Sequence, residues 1–307
     1  MTRNKEWKGK TGGGNFGQRC LFFYFKHGSI ALIYAIVGMV ILLYLAINYK
    51  ATKNIYRYFR SRQQYSVCKS IVSTYRNHFL FGKTVIDKFA LFAGRKNDFI
   101  LERVGQEEYD RVVKDQEKGA IIVNSHVGSA EIAGYFFSQK IKKLYAIVFG
   151  GESPEMQKQR ARILEENNVS MIPVTDPFSH IFAVNNALKN ADLVSMAGDR
   201  VYEGSKNLTV QFLGAPAEFP TSAFQLAVKL QVPMLALFVM QNGYKKYKCF
   251  VYSLEVADFE SFSKQKQVEL LMQEYASKLE GILQEYPLQW YNFYDFWKIK
   301  NNPTGTN

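Results

Sequence analysis

The most pronounced pattern in the chain is an apolar run of 22 residues, 28–49, that carries no formal charge. As a helix this run would be about 33 Å long, which is enough to cross the hydrocarbon core of a bilayer. Because Lys and Arg flank it on both sides, the distribution of positive charge does not decide its orientation. The run predicts a membrane-anchoring, transmembrane helix, and a tilted or in-plane anchor stays open as the alternative.

From about residue 100 onward, short apolar runs alternate with segments of helical periodicity. The predicted strands are residues 120–123, 144–149, 170–174, 193–196, 209–212, 234–238 and 248–254. The predicted helices are residues 130–139, 153–166, 180–188, 221–229 and 264–283. This alternation is typical of an α/β fold, so we predict a mixed central sheet flanked by helices, preceded by the membrane-anchoring helix and a helical platform.

Shifts in composition divide the chain into five parts. They are a basic arm (1–27), the membrane-anchor helix (28–49), a basic helical region that associates with the membrane (50–100), the α/β domain (101–300) and a tail (301–307).

Positive charge is concentrated in the first third of the chain. Residues 1–100 hold 17 Lys and Arg against 3 Asp and Glu, whereas residues 101–307 hold 22 against 24. Such a basic segment attracts a polyanion, and the neighbouring apolar run favours anionic lipid head groups. An ordinary solvated helix face is the simpler alternative. No known nucleic-acid-binding motif occurs, so nucleic acid is not expected as a partner.

The cysteines and histidines limit the possible chemistry. Cys20, Cys68 and Cys249 are odd in number and far apart, which argues against a disulfide framework and against a cysteine metal site. Four histidines without an H-E-x-x-H motif make a catalytic zinc ion unexpected, and the absence of G-x-S-x-G gives no support to a nucleophile-elbow hydrolase.

One histidine follows the strand predicted at residues 120–123, at the position where open α/β sheets bind their ligands. This residue, His126, is our candidate general base, and Glu131 is its candidate orienting partner. Two residues five apart on one helix point about 140° away from each other, so His126 must lie outside the helix and Glu131 in its first turn. A loop histidine beside a solvated glutamate is the simpler alternative.

Two further segments hold candidate binding residues. Asp199 and Arg200 follow the strand predicted at residues 193–196, so they point to the same edge of the sheet as His126. They could hold or polarise a substrate, or only pair with each other. Gly214, Pro220 and Thr221 precede an apolar helix whose N-terminus could receive an anion, although simple capping by Thr221 is the more common use.

Taken in order, these segments resemble one family. His126-Val-Gly-Ser-Ala-Glu131 resembles the H-x4-D/E motif of the glycerolipid and lipid A acyltransferases, and Gly198-Asp199-Arg200 resembles the short aspartate motif of the late lipid A acyltransferases. Segments 212–221, 232–233 and 287–297 are similar to later blocks of that family. The chain therefore resembles the bacterial late lipid A biosynthesis acyltransferases, within the lysophospholipid acyltransferase superfamily, over nearly its whole length. Arg200 and Asp295 depart from the family pattern, which leaves the acceptor open.

The resemblance implies an acyltransferase. The donor would be an acyl carrier protein or coenzyme A thioester, and the acceptor a hydroxyl or amine of a lipid such as a lipid A-type glycolipid. His126 would be the general base and Glu131 its orienter, with Asp199, Arg200 and residues 214–221 as candidates for binding the acceptor. Neither a metal nor a cofactor beyond the acyl donor is implied.

The resemblance also implies a place in the cell and leaves alternatives. The protein would be attached to anionic lipids of the inner membrane, with its catalytic domain on the cytoplasmic face. An aminolipid or a pigment precursor is the alternative acceptor. A non-catalytic, membrane-attached lipid-binding protein is the alternative of a different class, and the intact pair of His126 and Glu131 argues against it.

Overall fold

The computed structural model describes residues 23–115, 117–136, 141–149, 154–174, 179–201 and 205–298. Most of the predicted basic arm and the whole of the predicted tail lie outside these ranges. The predicted division of the chain into five parts stays a prediction.

The strands are β1 (Ile100–Val104), β2 (Ala120–Asn124), β3 (Leu144–Phe149), β4 (Val169–Val174), β5 (Leu193–Ala197), β6 (Asn207–Phe212), β7 (Ala215–Pro220), β8 (Met234–Gln241) and β9 (Lys246–Ser253). In the described part of the chain, seven strands form one sheet in the order β1-β9-β8-β2-β5-β3-β4, and β6 pairs with β7 in a separate antiparallel hairpin. β9 runs antiparallel to β8, and the pairings among β8, β2, β5, β3 and β4 are all parallel. The predicted mixed α/β sheet is confirmed.

The helices are α1 (Ile30–Ile47), α2 (Tyr49–Ser61), α3 (Val67–Phe92), α4 (Gln106–Lys114), α5 (Ala130–Phe136), α6 (Pro154–Glu165), α7 (Ser179–Lys189), α8 (Ser222–Leu230) and α9 (Lys264–Glu285). Side chains of the central strands alternate between two hydrophobic clusters, one on each face of the sheet. In β2, Ile121 and Val123 belong to one cluster and Ala120 and Ile122 to the other. Burial on both faces explains why β2 and β8 are continuous apolar runs.

Three elements were not predicted from the sequence. β1 is an edge strand with exposed Glu102 and Arg103, so it lacks an apolar run. β7 contains Pro216 and Pro220, which a two-stranded hairpin tolerates because each of its strands is an edge. α4 has only nine residues and buries three of them, Tyr109, Val112 and Val113.

The helical N-terminal region is confirmed, and it packs onto the sheet domain. α1 is long and apolar enough to cross a membrane by length and composition, and only 17% of its residues are buried. It packs against α3, whose last turns enter the core through Ile86, Ala90 and Leu91. α2 enters the opposite cluster through Ile55, Tyr58 and Phe59.

Candidate active site

Two parallel strands bring the first pair of candidate residues together. Asn124 at the end of β2 is the register partner of Ala197 at the end of β5. His126 and Asp199 each lie two residues beyond that pair, so they meet at the carboxyl edge of the sheet. Nδ1 of His126 lies 2.8 Å from Oδ1 of Asp199, and the backbone N–H of His126 donates to Oδ2 at 2.8 Å.

The environment of Asp199 determines which nitrogen of the His126 ring carries the proton. The Asp199 side chain is fully buried and accepts a further hydrogen bond of 2.9 Å from Nδ2 of Asn292. Burial would raise the pKa of Asp199, but His126 and these hydrogen bonds outweigh it, and the pKa lies below its ordinary value. Since an ionised carboxylate only accepts, Nδ1 of His126 carries the proton and Nε2 is the basic atom. The His126 side chain is 31% exposed, which lets a substrate reach it.

The turn that carries His126 is held by backbone contacts on both sides. Gly128 has a φ of +53°, and a Cβ there would lie 2.0 Å from the carbonyl oxygen of Val239, so only glycine fits. The N–H of Ser129 donates to the same carbonyl at 2.8 Å. On the other side, the N–H of Tyr291 donates to the carbonyl of His126 at 2.9 Å. The C-terminal segment is therefore part of the site.

Glu131 lies in the first turn of α5, as predicted, but its carboxylate contacts two cations. One oxygen forms an ion pair with Lys88 of α3, and the other lies 3.6 Å from Nη1 of Arg160 of α6. Burial would raise the pKa of Glu131, but Lys88 and Arg160 outweigh it and lower the pKa, so the carboxylate is ionised. The predicted contact between Glu131 and His126 needs correction: the partner of Nδ1 is Asp199. The parallel register of β2 with β5 places Asp199 beside the His126 ring, whereas the Glu131 carboxylate pairs with Lys88 of α3 and Arg160 of α6.

Arg200 is linked to the pair of His126 and Asp199 through the amide side chain of Asn292. Its Nε donates to Oδ1 of Asn292 at 3.2 Å, while Nδ2 of the same amide donates to Asp199. Asn292 therefore bridges the two consecutive residues Asp199 and Arg200. The structure brings together His126, Asp199 and Arg200, in line with the prediction that they share one edge of the sheet.

Gly214 and Pro220 belong to the β6–β7 hairpin, and Thr221 follows it. Gly214 has a φ of +72° and follows Leu213, whose φ is +50°, so it forms the hairpin turn. Pro220 is the register partner of Asn207 at the other end of the hairpin. Thr221 precedes α8 without capping it; its hydroxyl donates to the carbonyl of Lys206 at 3.0 Å. None of the contacts described for these three residues joins them to His126 or Asp199.

Three residues at or near the site were not predicted from the sequence: Asn292, Lys88 and Arg160. None carries a local signal, because each is brought in by tertiary packing from a different part of the chain. Only the resemblance of residues 287–297 to a family block pointed to the segment that contains Asn292.

Metal ligands and activated thiols are not part of this site as far as the structure describes the chain. Within the described residues, no group of three or more His, Cys, Asp or Glu side chains is placed to hold a metal ion. Cys249 is buried in β9, and burial raises the pKa of its thiol to about 12. Cys68 lies exposed on α3. At this edge of the sheet the structure places the imidazole of His126 against the carboxylate of Asp199.

Comparison with known protein families matches residues 27–299 to the bacterial lipid A biosynthesis acyltransferases. A search of curated proteins gives no match. The family match covers nearly the whole chain and includes the three N-terminal helices, both strand-end residues of the site and Asn292. The resemblance noted in the sequence is thereby confirmed, and the chain belongs to the bacterial lipid A biosynthesis acyltransferase family.

Proposed function

We propose that this acyltransferase moves a fatty acyl chain from an acyl carrier protein or coenzyme A thioester to a hydroxyl or amine of a membrane lipid, a lipid A-type glycolipid being the preferred acceptor. His126 is the general base in this proposal, and Asp199 takes the orienting role that the sequence suggested for Glu131. The observation that carries the proposal is the buried, ionised Asp199 at Nδ1 of His126.

The reaction needs one proton acceptor and no covalent intermediate. The acceptor O–H gives its proton to Nε2 of His126 while its oxygen attacks the thioester carbonyl. The tetrahedral oxyanion collapses, the C–S bond breaks, and the imidazolium proton passes to the leaving thiolate. Asp199 keeps the ring in the required tautomer and stabilises the imidazolium, as in the logic of the catalytic triad.

Glu131 and its two cations hold the elements around this chemistry. The ion pairs of Glu131 connect α5, which follows the His126 turn, with α3 and α6. We therefore assign Glu131 as a positioning residue and Arg200 as a candidate contact for an anionic group of the acceptor. Gly214, Pro220 and Thr221 remain candidates for acceptor binding on the family resemblance alone.

Membrane attachment and donor docking complete the proposal. α1 supplies an apolar surface, and α2 exposes Lys50, Lys53, Arg57 and Arg60 beside it. Basic side chains of this kind suit anionic head groups and acidic protein donors. We propose a location at the cytoplasmic face of the inner membrane, where the thioester donors are made.

The test uses purified full-length protein in nanodiscs that contain bacterial lipid extract. Labelled acyl carrier protein thioester and labelled acyl-coenzyme A are supplied in separate reactions, and lipid products are identified by mass spectrometry. A lipid that is one acyl group heavier, formed by wild type and not by His126→Ala, supports the function. If neither donor loses its acyl group to any lipid while the protein is folded, the proposed function is wrong.

Direct transfer predicts that no acyl-enzyme forms. When the protein is incubated with either labelled donor and no acceptor, its intact mass should stay unchanged, because the described site offers an imidazole base and no activated thiol. Cys68→Ser controls for chemical acylation of the exposed thiol. A stoichiometric adduct that forms in the Cys68→Ser protein and passes to lipid when the acceptor is added would contradict direct transfer.

Replacing Glu131 by Gln should reduce kcat by about 10-fold to 10²-fold, since a misplacement near 1 Å can cost about this much. The tautomer of His126, read from its ¹⁵N chemical shifts, should stay that of wild type, because Asp199 is untouched. The matched control is Glu255→Gln, which removes an ion pair with Arg111 far from the site and should leave kcat unchanged. A changed His126 tautomer in Glu131→Gln would instead return the orienting role to Glu131.

A further inference from the structure

The N-terminal end of α1 is tied to the sheet domain. Nη1 of Arg95, which lies just before β1, donates to the carbonyl of Gly28 at 2.7 Å. Tyr34 donates to the buried carboxylate of Asp87 in α3, and its ring packs edge-on against Tyr244, in the turn between β8 and β9. The first turns of α1 are therefore attached to α3, to the segment that precedes β1 and to the turn between β8 and β9.

The C-terminal end of α1 is tied to the same domain by different elements. The chain continues directly into α2, where Asn54 donates to the carbonyl of Phe293 at 3.2 Å and Tyr58 to that of Pro287 at 3.2 Å. Tyr44 of α1 itself packs against His78 of α3, with ring centroids 5.9 Å apart. Both ends of α1 are thus held by one domain.

α3 holds the middle of α1 along the same surface. Tyr75 donates to the carbonyl of Gly38, and a Cβ on Gly82 would meet Val37 at 2.7 Å. On its other side, α3 binds the domain through Asn77, which donates to the carbonyls of Leu288 and Trp290. α1 consequently lies along the domain and does not project from it.

This arrangement conflicts with a helix that crosses the bilayer. The 18 residues of α1 measure about 27 Å, close to the thickness of the hydrocarbon core. If α1 stood upright, its ends would lie near opposite membrane surfaces, and the domain that holds both ends would have to extend through the lipid. The charged groups at one of the two ends of α1 would then have to lie on the membrane side opposite the catalytic domain. These groups are Arg95 with Asp98 at the N-terminal end and the basic helix α2 at the C-terminal end.

The outward surface of α1 and α3 is suited to lipid along its whole length. α1 exposes Leu32, Ile36, Val40, Leu43 and Ile47 on one side, with Ile47 81% exposed. The first half of α3 has inverted polarity: Ile71 and Val72 are more than half exposed, whereas Ser73, Thr74 and Asn77 are buried. Ile71 and Val72 share a helix face with Tyr75 and Phe79, which line an apolar groove together with Met39 and Leu42 of α1.

Basic residues border this surface at both ends of α1. Lys26 is exposed before the helix, and Lys50 and Lys53 are exposed after it. An in-plane helix places all of them at the level of the head groups on one side of the membrane, where anionic lipid attracts them.

We infer that α1 does not cross the bilayer but lies in the plane of the cytoplasmic leaflet, and that the exposed apolar residues of α1 with Ile71 and Val72 of α3 form the immersed surface. The occupant of this surface is the acyl region of a phospholipid bilayer. The inference rests on the membrane attachment in the proposed function and adds its geometry. It also places α3, which contacts the His126 segment through Trp290, directly on the lipid surface.

Cysteine labelling of full-length protein in bacterial membranes tests the geometry. Cys68→Ser removes the exposed thiol, and Cys20→Ser removes the cysteine that lies outside the described residues. Cys249 stays because it is buried with a raised pKa. Lys26→Cys, Lys50→Cys and Lys264→Cys are then made singly, the last as the marker of the sheet domain. With an impermeant maleimide, all three should react in inverted membrane vesicles and none in intact spheroplasts. Reaction of Lys26→Cys and Lys50→Cys from opposite sides would overturn the inference.

Spin labels give an independent measurement of depth in vesicles of phosphatidylethanolamine and phosphatidylglycerol. Labels at Leu32, Leu43 and Ile71 should report similar, shallow depths, and a label at the exposed Phe262 of the sheet domain should report water. An upright helix would separate Leu32 from Leu43 by about 16 Å of depth. Labels that are shielded from water without lipid contact would mean that a second copy covers the surface, which would also overturn the inference.

These readouts do not depend on catalysis. An active enzyme whose two α1 ends react from opposite sides would refute the in-plane helix alone. An inactive protein with an in-plane helix would refute acyl transfer alone, and a protein that does not sediment with membranes would refute the attachment on which both rest.

Discussion

His126→Ala is expected to reduce acyl transfer by at least about 10²-fold, the lower range for loss of a general base. In the proposed mechanism the side chain contributes its Nε2 to the reaction, and within the described residues its one side-chain hydrogen bond joins Nδ1 to Asp199. The backbone N–H of residue 126 still donates to Asp199 in the variant, so the turn should keep its shape. Initial rates with saturating donor and lipid acceptor measure the loss, and circular dichroism with thermal unfolding reports the fold.

A double variant that combines His126→Ala with Asp199→Asn shows whether the two residues act together or have separate functions. If Asp199 acts through the histidine ring, the double variant should be little worse than His126→Ala alone, because residues that act as a unit are strongly non-additive. Activity close to wild type in folded His126→Ala protein would rule out the mechanism. Losses that multiply in the double variant would show that Asp199 has a separate task.

The fold was predictable where a single pattern determines an element. β2 and β8 are buried on both faces, so continuous apolar runs marked them. β1 and β7 gave no such signal, since an exposed edge strand and a proline-containing hairpin strand bury little surface. The order of the strands in the sheet depends on contacts between distant parts of the chain, so no local sequence pattern predicts it.

The site was predictable as far as the edge of the sheet and no further. Both His126 and Asp199 follow predicted strands, and this placed them at one edge. Choosing between Glu131 and Asp199 as the partner of the ring required the register of β2 with β5, together with Lys88 and Arg160, which hold the Glu131 carboxylate. Asn292 could not be found, because the contact that makes it important joins segments 93 residues apart.

The same limit applies to the membrane helix. Length and hydropathy predicted a membrane-anchoring helix at residues 28–49, and they left open whether that helix crosses the bilayer or lies in its plane. The distinction depends on what holds each end, which is Arg95 and Tyr244 at one end and, through α2, Phe293 and Pro287 at the other. These partners are distant in sequence and become neighbours only in the folded domain.

Asp199→Asn is the second change for which a large loss is expected, again about 10²-fold or more in kcat. The buried carboxylate accepts from Nδ1 and from the backbone N–H of His126 and from Nδ2 of Asn292. An asparagine keeps the shape but can donate to Nδ1, which moves the ring proton to Nε2 and removes the base. The ¹⁵N shifts of the His126 ring should therefore report the opposite tautomer. A purely structural role of Asp199 would lower stability without exchanging the protonated nitrogen.

Asp258→Asn is the matched control for this experiment. Asp258 is exposed and follows β9, whose end pairs with the start of β8, so it lies at the sheet edge opposite His126. Its φ of +53° is one that asparagine adopts readily, so the control removes a carboxylate without backbone strain. The control should retain the wild-type kcat and tautomer. If Asp199→Asn also keeps both while remaining folded, the ring does not depend on Asp199, and the orienting role we give to this carboxylate is wrong.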